Sequence, residues 1–157
     1  MLPTQIEVRP WRTGDEALLR AATISTASLT SRFMVGTQSL PAMYLRHVRT
    51  VGRDRWDAQV AVLDGRLLGW AEYGRWRPYG DEADIAVLVV DAWQRRGVAT
   101  ALFRAMLPRC AADGVRVVHA DVAPENVAAR AAASSFLGRP TFRDGMVHYR
   151  LPLQLAA

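Results

Sequence analysis

The sequence predicts an α/β (α+β) fold with a mixed central sheet of six or seven strands and about four helices. Three observations lead to this prediction. Stretches with strand-like alternation and stretches with helical spacing follow each other along the chain. Two Asp-Gly pairs, Asp64-Gly65 and Asp144-Gly145, are typical of tight hairpins. No linker, repeat or low-complexity tract divides the chain, so residues 1–157 are expected to form a single domain.

The first part of the chain is predicted to contain one strand and two helices. Gln5–Pro10 alternates apolar and polar residues, as a strand does. Thr13–Glu16 offers a cap and an acidic first turn for a helix over Ala17–Ile24. Ser25–Ser39 is rich in Ser and Thr and is interpreted as the end of that helix followed by a loop. A second helix with an apolar stripe is expected over Pro41–Val51.

The rest of the chain is predicted to begin with a three-stranded meander. Its strands are expected at Ala58–Leu63, Arg66–Tyr73 and Glu82–Val90, and the weak alternation indicates that the sheet is covered on both faces. The elements expected after the meander are a helix over Val98–Asp113 that contains Pro108, a strand over Val115–Val122, a helix over Pro124–Leu137 and a hairpin within Gly138–Leu153.

The composition is that of an ordinary folded protein with an excess of positive charge. Half of the residues are apolar, the net charge is +5 and every basic residue is an arginine. The arginines are spread along the chain and do not alternate with aromatic residues, so a nucleic acid is not expected as a partner. The apolar runs are too short to cross a bilayer, and residues 1–10 contain no apolar block of the signal-peptide kind. We therefore expect no membrane partner.

The few cysteine and histidine residues restrict the chemistry. A single cysteine, Cys110, excludes an internal disulfide, which favours a cytoplasmic location. Three histidines and one cysteine without a local cluster predict no metal site. We interpret Cys110 as a core residue on the apolar stripe of its helix, and His119 as a packed or hydrogen-bonded residue of its strand.

One stretch carries a recognisable binding device. The apolar strand from Ala83 leads into Gln94-Arg95-Arg96-Gly97-Val98-Ala99, followed by the predicted helix. Small residues at Gly97 and Ala99 let the backbone approach an anion, and successive N–H groups at a helix N-terminus attract it. Arg95 or Arg96 can add charge-assisted hydrogen bonds, and Thr100 can add a hydroxyl. The pattern predicts a phosphate-binding turn.

The chain resembles the GNAT superfamily of N-acetyltransferases over its whole length in element order. Two segments carry the resemblance, ADIAVLVVDAWQRRGVATALF and DVAPENVAARAAASSFLGRP. The run SLTSRFM at Ser28–Met34 is similar to the bacterial protein-lysine acetyltransferase branch. The resemblance implies a sheet with helices on two faces, splayed between its fourth and fifth strands, and acetyl-CoA as the cosubstrate without a metal.

The resemblance also implies roles for particular residues. The backbone of the fourth strand would bind the pantetheine arm, the turn would hold the pyrophosphate, and Asn126 would touch the cofactor arm. A helix N-cap explains Asn126 equally well. The predicted cofactor-binding residues are Val87, Leu88, Val89, Gln94, Arg95, Arg96, Gly97, Val98, Ala99, Thr100 and Asn126.

Two aspartates match positions at which branches of the family carry a catalytic glutamate. These are Asp84, which is the preferred candidate, and Asp121; each could instead be a solvated or ion-paired strand residue. Aspartate is one methylene shorter than glutamate, which favours a water relay. The position that often holds an acidic tyrosine, seven residues after Asn126, is Ala133, so no general acid is assigned.

These observations predict an acyl-CoA-dependent N-acetyltransferase in which an amine attacks the thioester directly, assisted by a carboxylate or water base. The alternative is a non-catalytic domain that binds acyl-CoA for regulation. The amine acceptor is not identified by any motif. The closing hairpin, Arg139–Leu153, could pair across a homodimer.

Overall fold

The computed structural model describes residues 3–33 and 39–154. The strands are β1 (Glu7–Pro10), β2 (Trp56–Leu63), β3 (Arg66–Arg75), β4 (Glu82–Val89), β5 (Val117–Val122), β6 (Thr141–Arg143) and β7 (Met146–Pro152). The helices are α1 (Asp15–Ala21), α2 (Thr26–Phe33), α3 (Ala42–Thr50), α4 (Val98–Ala112) and α5 (Val127–Leu137). The predicted fold class is confirmed, with five helices among the described residues where about four were expected.

The seven strands form one sheet in the order β1-β2-β3-β4-β5-β7-β6. All neighbours are antiparallel except β4 and β5, which are parallel. Both predicted Asp-Gly hairpins are confirmed. Asp64 and Gly65 have φ of 49° and 73°, and Asp144 and Gly145 have φ of 53° and 75°. Positive φ at both central residues characterises the type I′ turn, whose twist matches that of the strands.

The sheet splits between β4 and β5. β4 is paired with β3 from Ala83 to Val89, but it is paired with β5 only from Glu82 to Asp84. Beyond Asp84 the two parallel strands separate, which confirms the expected splay. One edge of β4 is therefore left without a neighbouring strand over its last residues.

Both faces of the sheet are covered by helices. Under α4 and α5, a core cluster includes Leu102, Met106 and Tyr149. On the other face, under α1 and α3, a second cluster includes Leu19 and Trp70. Burial of each large apolar side chain contributes about 1.5–3 kcal/mol, so both clusters stabilise the sheet. Helix α4 runs to Ala112 with Pro108 inside it.

The loop predicted within Ser25–Ser39 is partly wrong, because Thr26–Phe33 forms the helix α2. Ser25 caps this helix, since its Oγ accepts a hydrogen bond from the Ser28 N–H at 3.1 Å. Leu29 is buried, which gives the helix an apolar anchor. Ser and Thr are weak helix formers, so the composition concealed a helix that tertiary contacts stabilise. Residues 34–38, including Met34 of the quoted run, lie outside the described residues.

A buried carboxylate on β3 fastens α2 to the sheet. Glu72 accepts a hydrogen bond from Arg32 Nη2 at 2.5 Å, from Trp70 Nε1 at 2.8 Å and from the Tyr44 hydroxyl. Burial and the negative charge of Glu72 raise the pKa of Tyr44 well above its usual value, so the tyrosine remains a donor. Glu72 thereby links α2 and α3 to the centre of the sheet.

Replacing Glu72 by alanine should leave the partly buried Arg32 guanidinium without its partner. Removal of one member of a buried ion pair costs about 3 kcal/mol. We therefore expect a clear loss of the free energy of unfolding, measured by urea denaturation. The matched control is Glu16→Ala, which removes the surface pair with Arg20 at 2.7 Å and should cost less than about 1 kcal/mol. Equal losses in the two variants would contradict this role of Glu72.

Candidate active site

The gap between β4 and β5 opens into a cleft of about 550 Å³. Ser28, Ser31 and Arg32 of α2 line it from one face of the sheet, and Phe103 of α4 and Ala129 of α5 line it from the other. The cleft therefore passes through the sheet and connects its two faces. The predicted site residues that line it are Val87, Leu88, Val89, Gln94, Arg95, Gly97, Val98, Ala99, Thr100, Asp121 and Asn126. Arg96 and Asp84 are not among its lining residues.

The free edge of β4 presents main-chain groups to this cleft in alternation. The Asp81 carbonyl accepts from Val117 N–H of β5 at 3.1 Å, so it points toward β5. The Val89 carbonyl points the same way, because it accepts from Gln94 Nε2 at 3.1 Å. Alternation along the strand directs the N–H and C=O of Val87 into the cleft and those of Leu88 toward β3. Val87 is therefore the residue of the predicted trio whose two main-chain groups are available to a ligand.

The predicted phosphate-binding turn lies at the N-terminus of α4. Gly97 is the N-cap residue in a left-handed conformation with φ of 87°, and none of the described side chains caps the helix. Arg95 also adopts a positive φ of 60°. Arg96 does not line the cleft, and its Cζ atom lies 5.1 Å from the ring centroid of Trp93. The uncapped N–H groups and the helix dipole make this turn suitable for an anion.

A polar tie that the sequence did not indicate joins this turn to α2. Asp91 accepts a hydrogen bond from Ser25 N–H at 2.9 Å, and Gln94 Nε2 contacts Ser28 Oγ at 3.2 Å. Burial alone would raise the pKa of Asp91, but hydrogen bonds from Ser25 and Ser28 together lower it below its usual value. Asp91 thus remains a charged acceptor that holds α2 against the cleft.

Asn126 is the N-cap residue of α5. Its Oδ1 accepts a hydrogen bond from Ala129 N–H at 3.1 Å, so its interpretation as a helix cap is confirmed. The same side chain lines the cleft, and its Nδ2 group is the part that a ligand can use. The predicted contact with the cofactor arm remains a prediction.

The two candidate aspartates lie on the sheet face opposite α4 and α5. Asp84 is exposed and lies beside Gly74 of β3, at the last paired position before β4 and β5 separate. Asp121 is half-exposed and lines the cleft. Its Oδ1 lies 2.7 Å from His148 Nδ1 on β7. Neither carboxylate is buried in the core.

His119 is hydrogen-bonded within its strand environment, as predicted. Its Nε2 lies 3.0 Å from Glu82 Oε1 and its Nδ1 lies 3.3 Å from His148 Nε2. Trp76 stacks on the His119 ring with 4.5 Å between centroids. The contributions of Glu82 and His148 were missed. The alternation of His119 and Asp121 on one strand face was a sequence signal, but the register with β7 was needed to locate His148.

The thiol of Cys110 does not line the cleft. Cys110 is fully buried on α4, and burial raises the pKa of its thiol far above the usual range, which fits the predicted core role. Ala133, seven residues after Asn126, is buried and lines the cleft. Within residues 3–33 and 39–154, no three His, Cys, Asp or Glu side chains are grouped to hold a metal ion. None of the helices described is long and apolar enough to cross a membrane.

Comparison with known sequences identifies a family that matches most of the chain. Residues 28–138 match the family model described as "Acetyltransferase (GNAT) family". A comparison with curated protein sequences gives no match.

Solved structures are similar over nearly the whole chain. The GNAT domain of S. lividans PAT is 27% identical, with a TM-score of 0.82 over 93% of this chain and 89% of that one. An N-acetyltransferase from Staphylococcus aureus Mu50 is 19% identical, with a TM-score of 0.75 over 96% of this chain and 100% of its own. The yncA protein from Salmonella typhimurium, solved with its cofactor acetyl-CoA, is 18% identical, with a TM-score of 0.76 over 98% and 97% of the two chains.

The family model covers residues 28–138, which is well over half of the chain. The chain therefore belongs to the GNAT family of acetyltransferases, which use acetyl-CoA as the acetyl donor.

Proposed function

We propose that this protein transfers the acetyl group of acetyl-CoA to a primary amine by direct attack, with Asp121 as the general base. One observation carries the proposal: a single cleft passes through the sheet and is lined by the free edge of β4, the uncapped start of α4 and a carboxylate on the opposite face. The first two features suit the two ends of the donor, and the third suits the acceptor.

The donor would lie along β4 and against the start of α4. The N–H and C=O of Val87 would bind the pantetheine arm as an added strand does, because the neighbouring strand has separated. The N–H groups that follow Gly97 would bind the pyrophosphate, with Arg95 adding positive charge. The Nδ2 group of Asn126 would approach the arm from α5. The main-chain groups of Leu88 have no part in this arrangement, because they point toward β3.

The acceptor would enter from the face that carries α2. Asp121 and Asp84 both lie on that face, whereas α4 and α5 cover the other. Arg32 of α2 also lines the cleft there. An amine that approaches from this side meets the thioester at the gap and has a carboxylate within its own half of the cleft.

The reaction needs a base, because an alkylammonium keeps its proton at neutral pH and has no lone pair with which to attack. Asp121 would take one N–H proton, directly or through a water molecule. The amine nitrogen would then form a bond to the carbonyl carbon, and the carbon–sulfur bond would break to release the thiolate of CoA. Thiols have an ordinary pKa of about 8.5, so the thiolate leaves without an assigned acid.

Asp121 is preferred to Asp84 for two reasons. Asp121 lines the cleft, and its Oδ1 is oriented by His148 at 2.7 Å. Asp84 lies outside the lining residues and next to the solvent above Gly74. The sequence favoured Asp84, and the position of each carboxylate relative to the cleft leads us to prefer Asp121.

The phosphate-binding turn can be tested with Gly97→Ala. A Cβ at φ of 87° strains this turn and intrudes on the anion site. We expect the Kd of CoA, measured by calorimetry, to rise about tenfold, which corresponds to about 1.4 kcal/mol. Gly65→Ala is the matched control, because Gly65 has φ of 73° in the β2–β3 turn outside the cleft. Unchanged CoA affinity in Gly97→Ala would refute the assignment of the phosphates to this turn.

The base can be tested by comparing Asp121→Asn with Asp84→Asn. Thiol release from acetyl-CoA would be followed with a panel of amines and lysine peptides. We expect Asp121→Asn to lower kcat about a hundredfold, as loss of a general base does, while the Kd of acetyl-CoA changes less than about twofold. Asp84→Asn should have a much smaller effect.

The outcomes of this comparison are distinct. A large loss confined to Asp84→Asn would make Asp84 the base. Full activity in both variants would rule out Asp121 and Asp84 as the required base. An absence of acetylated product from the wild-type protein with every amine tested would count against amine transfer itself.

A further inference from the structure

We propose that His119 and His148, here called the histidine pair, store the proton that Asp121 removes from the acceptor amine. The inference rests on the proposed function and deepens it. It assigns work to a buried pair of titratable rings directly behind the proposed base. The pair lies on β5 and β7, on the same sheet face as Asp121.

The pair belongs to a continuous chain of four polar side chains. Asp121 Oδ1 lies 2.7 Å from His148 Nδ1, and His148 Nε2 lies 3.3 Å from His119 Nδ1. His119 Nε2 lies 3.0 Å from Glu82 Oε1. Each ring thus uses both of its nitrogens, and the chain has a carboxylate at each end.

The hydrogen-bonded series of Asp121, His148, His119 and Glu82 can hold one extra proton. Its three contacts need three N–H groups when both carboxylates are ionised, because a carboxylate can only accept. Two neutral imidazole rings supply two N–H groups, one each. The complete chain therefore contains one imidazolium, and loss of one proton leaves one contact without a donor. The pair can alternate between two and three ring protons.

The environment of the pair supports both states. With two ring protons, His148 Nδ1 is free to accept, and Arg143 Nη2 lies 3.3 Å from it as a donor. With three ring protons, the positive charge lies between Asp121 and Glu82. Asp84 on β4 and Arg150 on β7 occupy the register positions on either side of His119, so charges of both signs flank the pair.

Burial separates the histidine pair from water, whereas Asp121 reaches the cleft. The side chains of His148 and His119 are 8% and 7% exposed, whereas those of Asp121 and Glu82 are 51% and 38% exposed. Trp76 covers the His119 ring. A proton that enters from Asp121 is thus held away from the solvent during the reaction.

An N–H bond of the acceptor ammonium breaks and an O–H bond forms on Asp121. That O–H bond breaks as the N–H bond forms at His148 Nδ1, so Asp121 is again a carboxylate and the pair holds three protons. The amine attacks, the carbon–sulfur bond breaks and the CoA thiolate leaves. After the products depart, the stored proton returns to water through Asp121 in the open cleft.

The storage can be observed without catalysis, by nitrogen-15 NMR of histidine-labelled protein. The protein has only three histidines, and His47 is exposed on α3. The signals of the three rings can therefore be assigned separately. We expect His119 and His148 to change together between three and two ring protons, as one shared proton is gained or lost, with the His47 signals serving as the internal reference. Independent titration of the two rings, or two ring protons at every pH, would overturn the proposal.

The catalytic consequence can be tested with His148→Asn. Its amide can still donate to Asp121 but cannot take up a proton. We expect kcat to fall about tenfold and its dependence on pH to lose one titration step, while the KM for acetyl-CoA changes less than about twofold. His47→Asn is the matched control and should behave as the wild type does. His119→Gln, which breaks the chain one ring further from the cleft, should cause a smaller loss in kcat.

The outcomes separate this inference from the proposed function. A His148→Asn protein with wild-type kcat and pH profile would overturn the store and leave amine acetylation intact. If the wild-type protein acetylates no amine although its histidine pair titrates as expected, the proposed function fails and the store has no catalytic role.

Discussion

The separation of β4 from β5 is the constraint on which the rest of the site depends. Each of these strands follows its antiparallel neighbour: β4 stays with β3 as far as Val89, and β5 stays with β7 from Val117 to Val122. The short parallel contact between them ends at Asp84. Main-chain groups along the free edge of β4 then have no strand partner, and unpaired buried groups are costly. An extended ligand arm would satisfy these groups by hydrogen bonding to this edge, which is why we propose that the pantetheine arm lies along it.

On the sheet face opposite α4 and α5, helix α2 lies over the gap, and polar contacts hold it there. Ser25 N–H binds Asp91 at one end of the helix, and Arg32 binds the buried Glu72 at the other. Apolar packing alone would give this short, Ser- and Thr-rich helix little stability. Directional hydrogen bonds at both ends fix the position of α2 over the cleft, and this position would limit the space open to the proposed acceptor.

The sequence predicted what local chemistry determines and missed what distant pairing determines. The Asp64-Gly65 turn and the Gly97 turn were recognisable because their backbone angles demand particular residue types. The helix α2 was missed because its stabilising partner, Asp91, is 66 positions from Ser25. The histidine pair was missed for the same reason, since His119 and His148 are 29 positions apart and meet only through the register of β5 with β7. The sequence also could not show that the main-chain groups of Leu88 point toward β3. Strand alternation gives this direction only after one carbonyl on β4 has been located in the structure.

Groups that can accept or donate protons lie mainly on one side of the gap. On the α5 side, Ala133 offers no proton to the leaving group. Beside Ala133 on α5, Ser134 Oγ is bonded to the Tyr149 hydroxyl at 3.0 Å, and Ser135 Oγ donates to the Ala131 carbonyl at 3.1 Å. These hydroxyls are therefore committed within the domain and are not directed at a leaving thiolate. A thiolate, whose conjugate acid has a pKa of about 8.5, departs without help, whereas an alkylammonium with a pKa of about 10.4 does not lose its proton at neutral pH. In the proposed reaction the demanding step is therefore deprotonation of the amine, and Asp121 and the histidine pair lie on the sheet face from which the amine would enter.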